Sequence, residues 1–411
     1  MLSLALHWQI LIGLVAGAAA GWLLGDGVMH FAFIGSLFLN ALKMIIVPLI
    51  ATSIITGIAA VGATGQVGRL GSKTFTYYMS TSFLSILTGL VLVNLLKPGV
   101  GAQLGLSERP DKLSDSLQRF GDTPWEAVQR LLLDLIPSNP VKAMAEGNIL
   151  QVIFFCLLFG YFITRLPQGP RQQLTDFFNA AFEAMMKLTH FIISFAPLGI
   201  FALVAKTVAQ TGLDAFAGLG LYALTVILGL LIHAGINLPA LLYFFGKTDP
   251  RAHLRAMAPA LLTAFSTSSS SATLPLTMKS LEERAGVSNR VTSFVTPLGA
   301  TVNMDGTALY ECVAAMFIAQ AYGVTLGFAE QFLVVLTALL ASIGAAGIPM
   351  AGLVMISVIL SAVGLPLEGV GLILAVDRIL DMCRTTVNVW SDATGAKLIA
   401  SSEDEASSAA S

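Results

Sequence analysis

The stretch FSTSSSSATLP, residues 265–275, decides how this chain folds. Ser266, Thr267, Ser268, Ser269, Ser270, Ser271 and Thr273 are nearly continuous, and Pro275 follows. Strongly apolar sequence flanks the run, in a chain of 411 residues that is 55% hydrophobic and only 11% charged. Exposed to solvent, such a run is a linker. Inside a bilayer, backbone of this kind persists only where protein or water surrounds it.

Mean hydropathy is +0.80, and apolar runs continue from Leu2 to Ala400. A soluble chain of this length carries far more charge. A spanning helix takes about 20 apolar residues, and the ten-residue alternating segments of a β-barrel are not seen. The composition therefore predicts an all-α polytopic membrane protein. The N-terminal run lacks a basic leader region and outlasts a signal peptide, so it reads as an uncleaved first helix. Cys156, Cys312 and Cys383 lie in apolar segments and read as small core residues. Net charge is -2, with no basic tract to meet a nucleic acid.

Apolar segments predict spans near 6–25, 30–62, 74–97, 127–166, 178–211, 217–246, 290–322 and 368–400. Two further blocks, 255–280 and 330–362, are each broken by small and polar residues. Basic residues mark alternate connections: Arg69 and Lys73, Arg165 and Arg171, Lys247 to Arg255, Lys279 to Arg290, and Lys397. By the positive-inside rule these are cytoplasmic. The alternation closes only if each broken block leaves and re-enters on one side. Read as kinked single helices, the blocks would invert everything downstream. The expected fold is thus eight transmembrane helices plus two re-entrant hairpins entering from opposite faces, as inverted repeats, with both termini cytoplasmic. The serine run forms the first tip, and SIGAAGIPMAG, residues 342–352, the second. Gly and Pro there free N–H and C=O groups near mid-membrane, where helix N-termini suit anions and carbonyls suit cations. The polar insertion at 98–126 reads as an external loop.

Charges inside a spanning helix are costly and usually functional. In DRILDMCRTTVNVWSD, residues 377–392, Asp377, Asp381, Arg384, Asn388 and Asp392 follow at i, i+4, i+7, i+11 and i+15. At about 100° per residue they share one stripe, with Thr385 at its edge. A structural Asp381–Arg384 pair would explain two of these residues, not five. Arg384 offers a planar fork to a carboxylate, and Asp381 can hold an ammonium. Asn388 and Asp392 offer hard oxygens to a small cation. TVNMDGT, residues 301–307, adds Asn303 and Asp305 in an interrupted helix. Glu311 lies six residues beyond Asp305; a buried, unpaired carboxyl favours its neutral form and could carry a proton, or be a hydrogen-bonded structural group. Lys43 reads as a snorkelling lysine, and His190 and His233 as scattered residues without metal spacing. No nucleophile–base pair or phosphate loop emerges, which argues against an enzyme.

STSSSSATLP, NMDGTALYE and DRILDMCRTTVNVWSD resemble the three signatures of the dicarboxylate/amino acid:cation symporters, the glutamate transporter family. The resemblance covers nearly the whole chain. It implies a homotrimer in the cell (inner) membrane, with a scaffold mostly within 1–250 and a moving transport domain at 251–400. Helices 74–97 and 217–246 join the latter, and 401–411 is a polar tail. It implies substrate contacts at Ser269, Ser270, Thr307, Ile348, Gly352, Asp381, Arg384, Thr385 and Asn388. It implies sodium ligands at Tyr78, Thr81, Ser82, Gly299, Thr301, Asn303, Asp305, Ser342, Ile343, Ala345, Asn388 and Asp392.

The chain departs from the pattern at Ser391, where the family has Gly, and lacks its second arginine, having Ser268 and Met382 at the two usual places. Glu311 matches the animal members' proton carrier, which leaves H⁺ cotransport and K⁺ countertransport open. Asp381 favours acidic amino acids over C4-dicarboxylates, the alternative substrate class. A passive anion channel would need a continuous polar pore, and a membrane enzyme would convert its substrate.

Overall fold

The computed structural model describes residues 6–63, 69–102, 136–211, 215–344 and 370–410, with single positions between 129 and 133 and between 352 and 365. Every regular element among the described residues is helical. The helices are α1 (Leu6–Leu24), α2 (Ala32–Ala63), α3 (Arg69–Leu96), α4 (Pro140–Glu146), α5 (Ile149–Thr164), α6 (Gln168–Ile193), α7 (Ala196–Thr211), α8 (Ala215–Ile232), α9 (Leu238–Phe244), α10 (Pro250–Thr267), α11 (Ser270–Glu283), α12 (Asn289–Val302), α13 (Asp305–Ala321), α14 (Phe328–Gly344) and α15 (Val370–Ala410).

Four stretches are long and apolar enough to cross a membrane: Trp8–His30, Ala32–Ala59, Leu70–Leu96 and Gly218–Phe244. Gln168–Ile193 and Ala196–Gln210, bent by 49°, make a fifth if counted as one span. Pro197 in the first turn of α7 has no N–H to continue the ladder of α6, which accounts for this bend. The segment expected as a single span over 127–166 is interrupted. Asn139 caps α4 by accepting from the N–H of Val141 and Lys142, and Gly147, at φ 70, ends it before α5 begins. Most of the expected external loop at 98–126 lies outside the described residues, from 103 onward.

The serine run turns the chain back. Asp249 caps α10 through the N–H of Arg251, and α10 ends at Ser268 in the left-handed region, φ 52. Ser269 then caps α11 by accepting from the N–H of Ala272 at 3.2 Å. The Thr273 hydroxyl donates to the Ser269 carbonyl at 2.8 Å. Hydroxyls thus satisfy the groups that two helix ends set free. α10 and α11 pack on one another and on α15, so the break is a helical hairpin and not a kink. Of the second broken block, α14 and a few buried helical positions from Gly352 onward are described; the tip at 345–350 is not.

Among the described residues, the buried ones form two clusters. The larger centres on α13, whose residues from Asp305 to Ala319 are all buried, as expected of a helix apolar on every face. It packs against α3, α8, α14 and α15. The second cluster joins the start of α3, α9, the α10–α11 hairpin, α12 and the end of α15. α12 and α13 are separated at Asn303 and Met304, the interruption expected from NMDG. A π-helical turn, His233–Asn237, links α8 to α9. α15 runs on through the polar tail to Ala410, and Lys73 near the start of α3 pairs with Glu403 at 2.7 Å.

Candidate functional site

The broken ends of α12 and α13 meet the polar stripe of α15. Gly306 lets them touch: a Cβ there would sit 2.6 Å from the Arg384 carbonyl oxygen and 3.1 Å from Asn388 Oδ1. In its place, the Gly306 N–H donates to Asn388 Oδ1 at 2.8 Å, and Asn388 Nδ2 donates to the Thr307 hydroxyl at 3.1 Å. The first of these bonds occupies an N–H that the helix break leaves without a ladder partner.

Arg384 is buried, with 1% of its surface exposed. Its Nη2 lies 2.7 Å from Asp381 and 3.1 Å from Asp377. The Tyr310 hydroxyl donates to Asp377 at 2.6 Å, and the Tyr310 ring lies beneath the guanidinium, 3.7 Å from its centroid. Nε and Nη1 have no hydrogen-bond partner among the described residues. Gly352 of the second broken block lies at the Nη1 end of the guanidinium; a Cβ there would collide with Nη1. Nε and Nη1 point to different edges of the guanidinium, so each is an open donor for one oxygen, and an anion that takes a two-oxygen fork would also have to draw Nη2 from Asp377 or Asp381. Asp381, read from sequence as an ammonium partner, here lies on Arg384 and, at 3.5 Å, on Arg378.

The second centre is a pair of buried carboxylates. Asp305 Oδ1 accepts from Ser82 at 2.6 Å; Oδ2 accepts from Ser391 at 2.6 Å and lies 3.0 Å from His233 Nε2. Asp392 Oδ1 accepts from Asn303 Nδ2 at 2.9 Å. Asn303 Oδ1 accepts from Thr81 at 3.4 Å, and the Tyr78 hydroxyl donates to the Val295 carbonyl at 2.6 Å. Gly299 leaves open a cradle: a Cβ there would collide with Asp392 Oδ1 and lie 2.7 Å from the Tyr78 hydroxyl. The donors are carboxylate, amide, hydroxyl and carbonyl oxygens, which fit a hard cation such as Na⁺. No group of three or more His, Cys, Asp or Glu that could hold a metal occurs among the described residues.

Other expected site residues are more scattered. Ser269, Ser270 and Thr385 are buried. The Thr301 and Ser342 hydroxyls donate to the carbonyls of Leu298 and Leu339 in their own helices, at 3.0 and 2.8 Å. Ile343 is helical, and Ala345 and Ile348 lie outside the described residues. Glu311 is fully buried on α13, and neither carboxyl oxygen has a partner among the described residues.

Sequence reasoning passed over His233, read as an isolated histidine but seated on Asp305, and over Tyr310 and Arg378. An aromatic in an apolar helix gives no polar signal, and the His233–Asp305 contact crosses 72 residues. The one local sign was Asn237, four residues on, which reaches His233 Nδ1 at 3.2 Å.

The sequence model described as the sodium:dicarboxylate symporter family matches residues 6–402. Among curated proteins, human excitatory amino acid transporter 3 is 40% identical over 90% of this chain and 79% of its own length. The excitatory amino acid transporter of Caenorhabditis elegans is 39% identical over 94% and 85%, and human excitatory amino acid transporter 2 is 39% identical over 94% and 77%. These relatives are transporters, not enzymes. With a match spanning almost all its length, the chain belongs to the sodium:dicarboxylate symporter family.

Proposed function

We propose that this protein is a secondary active symporter that imports acidic amino acids, glutamate or aspartate, with Na⁺ as the coupling ion. The observation that carries this reading is Arg384, buried beside two carboxylates with two donors open. A substrate carboxylate would take one open donor together with Nη2, displacing a resident carboxylate, and Asp381 would turn to the substrate ammonium. The names of the relatives support the amino acid, and the oxygen-rich cradle at Asp392, Asn303 and Asp305 supports the cation. Asp381 weighs against a C4-dicarboxylate, which has no ammonium to offer it.

The wider architecture belongs to the same proposal: eight spans with two re-entrant hairpins, a homotrimer in the inner membrane, and cytoplasmic termini. α3, α8 and α9 move with residues 251–400 as a transport domain. The second buried cluster, which ties α3 and α9 to the first hairpin, supports that division. Alternating access then carries the site across the bilayer. The test is counterflow of labelled aspartate, glutamate and succinate in proteoliposomes, with and without Na⁺. Sodium-dependent exchange of the two amino acids, with succinate excluded, is expected. Exchange of succinate alone, or exchange indifferent to Na⁺, would overturn the reading.

Glu311 is the candidate proton carrier, since its buried carboxyl has no partner among the described residues. Protonated on the loaded leg and bare on return, it would couple H⁺ to each cycle and give K⁺ a site. Glu311→Gln keeps the neutral form permanently. Exchange between internal and external substrate should survive in this variant, while net uptake slows and loses its dependence on pH. If wild type transports equally at acidic and alkaline pH and the variant keeps both modes, Glu311 is structural only.

A further inference from the structure

Ser391 stands where the family pattern has glycine, and its hydroxyl is not idle. The residue is fully buried, and the Tyr77 hydroxyl holds its backbone by donating to the Ser391 carbonyl at 3.0 Å. A carboxylate can only accept, so the Asn303 amide must turn its NH₂ toward Asp392. One N–H of that amide reaches Asp392 Oδ1 at 2.9 Å, and the other reaches Ser391 Oγ at 3.0 Å. The single proton of Ser391 then goes to Asp305 Oδ2 at 2.6 Å. Donation runs outward from the Asn303 amide, to Asp392 on one side and through the Ser391 hydroxyl to Asp305 on the other. It leaves Asn303 Oδ1 facing Thr81.

We propose that Ser391 is a positioning residue for the coupling cation: its hydroxyl links the Asp392 centre to the Asp305 centre and fixes the Asn303 carbonyl oxygen in its binding orientation. With glycine here, nothing would bridge Asn303 to Asp305, and the cation would have to order the amide itself. With serine, the oxygens stand assembled before the cation arrives, and the ordering cost is removed from binding. The inference rests on the sodium reading given above.

The experiment is a Na⁺ titration of the purified full chain without substrate, with choline as replacement, for wild type, Ser391→Ala and Ser391→Gly. Binding is read by tryptophan fluorescence, for which the neighbouring Trp390 is a local reporter, and melting temperature is measured with and without Na⁺. Loss of one hydrogen bond to a charged group should raise the Na⁺ midpoint about tenfold in both variants. Substrate affinity should return to the wild-type value at saturating Na⁺, because cation and substrate are linked. A purely structural serine would lower the melting temperature equally with and without Na⁺ and leave the midpoint unmoved; that result overturns the proposal. A shift in Ser391→Gly alone also overturns it, because backbone freedom and not the hydroxyl would then be responsible. Absence of any Na⁺ response in wild type sinks the sodium reading, and this inference with it. A wild-type response that Ser391→Ala leaves unchanged removes only the inference.

Discussion

Arg384→Cys is expected to abolish uptake of aspartate and glutamate. The guanidinium holds Nε and Nη1 as open donors, one on each side of Nη2, and a carboxylate that pairs either of them with Nη2 makes a bidentate bond, among the strongest available to a side chain. Emptying one side of such a buried pair costs about 3–5 kcal/mol, so affinity should fall by about a hundredfold or more. Neutral amino acids should gain some uptake, since contacts to the backbone carboxylate and ammonium do not involve this fork. The substitution also takes their shared cation from Asp377 and Asp381, both of which lie on Nη2, leaving Asp377 with only the neutral Tyr310 hydroxyl among these contacts. A companion variant, Arg384→Cys with Asp377→Asn, relieves one of these orphaned charges and separates lost binding from lost folding. Radiolabelled uptake, with a melting curve for each variant, decides the matter. Wild-type aspartate affinity in a folded Arg384→Cys protein would remove this residue from the site.

The second large effect concerns the cation. Asp305→Asn removes formal charge from a carboxylate that three donors already orient, namely Ser82, Ser391 and His233. A unit charge 4 Å from a cation is worth about 4 kcal/mol at an effective dielectric of 20. The Na⁺ concentration needed for half-maximal aspartate binding should therefore rise on the order of a thousandfold. Linkage requires the same loss to appear in aspartate affinity at fixed low Na⁺, and to fade as Na⁺ saturates. Asp392→Asn should act in the same direction, with an added defect: the new amide can turn its own NH₂ against that of Asn303, which now donates to Asp392. Equilibrium binding of labelled aspartate across a Na⁺ series is the measurement. Binding that proves indifferent to Na⁺ in wild type would falsify the sodium assignment.

What was legible in the sequence was local. The serine run could be read as a turn because hydroxyls and a left-handed residue solve, within eleven residues, the problem of two free helix ends. The stripe from Asp377 to Asp392 could be read because α-helical periodicity alone brings those residues to one face. Asn303 and Asp305 announced a break because polar groups rarely interrupt so apolar a helix. What remained hidden depends on which helix lies opposite. Asp377 gains its role from Tyr310, 67 residues earlier, and Asp305 from Ser82 and His233, across 223 and 72 residues. No spacing rule reaches that far. Span limits were missed for a different reason: Pro197 bends the chain between α6 and α7, and the expected span 127–166 took in the polar run from Ser138 to Asn148, where Asn139 and Gly147 bound a separate short helix.

The Tyr310 ring beneath Arg384 bears on turnover. The guanidinium lies on an aromatic face and is already out of water, with its charge balanced by Asp377 and Asp381. An arriving carboxylate therefore does not have to strip a hydrated cation; it exchanges with resident partners, while the face of the fork stays covered. In such an exchange, much of what the newcomer gains is offset by contacts given up, so net affinity stays moderate even though each individual bond is strong. Departure runs the same exchange in reverse, with internal carboxylates ready to reclaim the charge. A carrier must release on one side what it captured on the other, and a guanidinium that is never left bare keeps both barriers low, so that tight recognition need not become slow release.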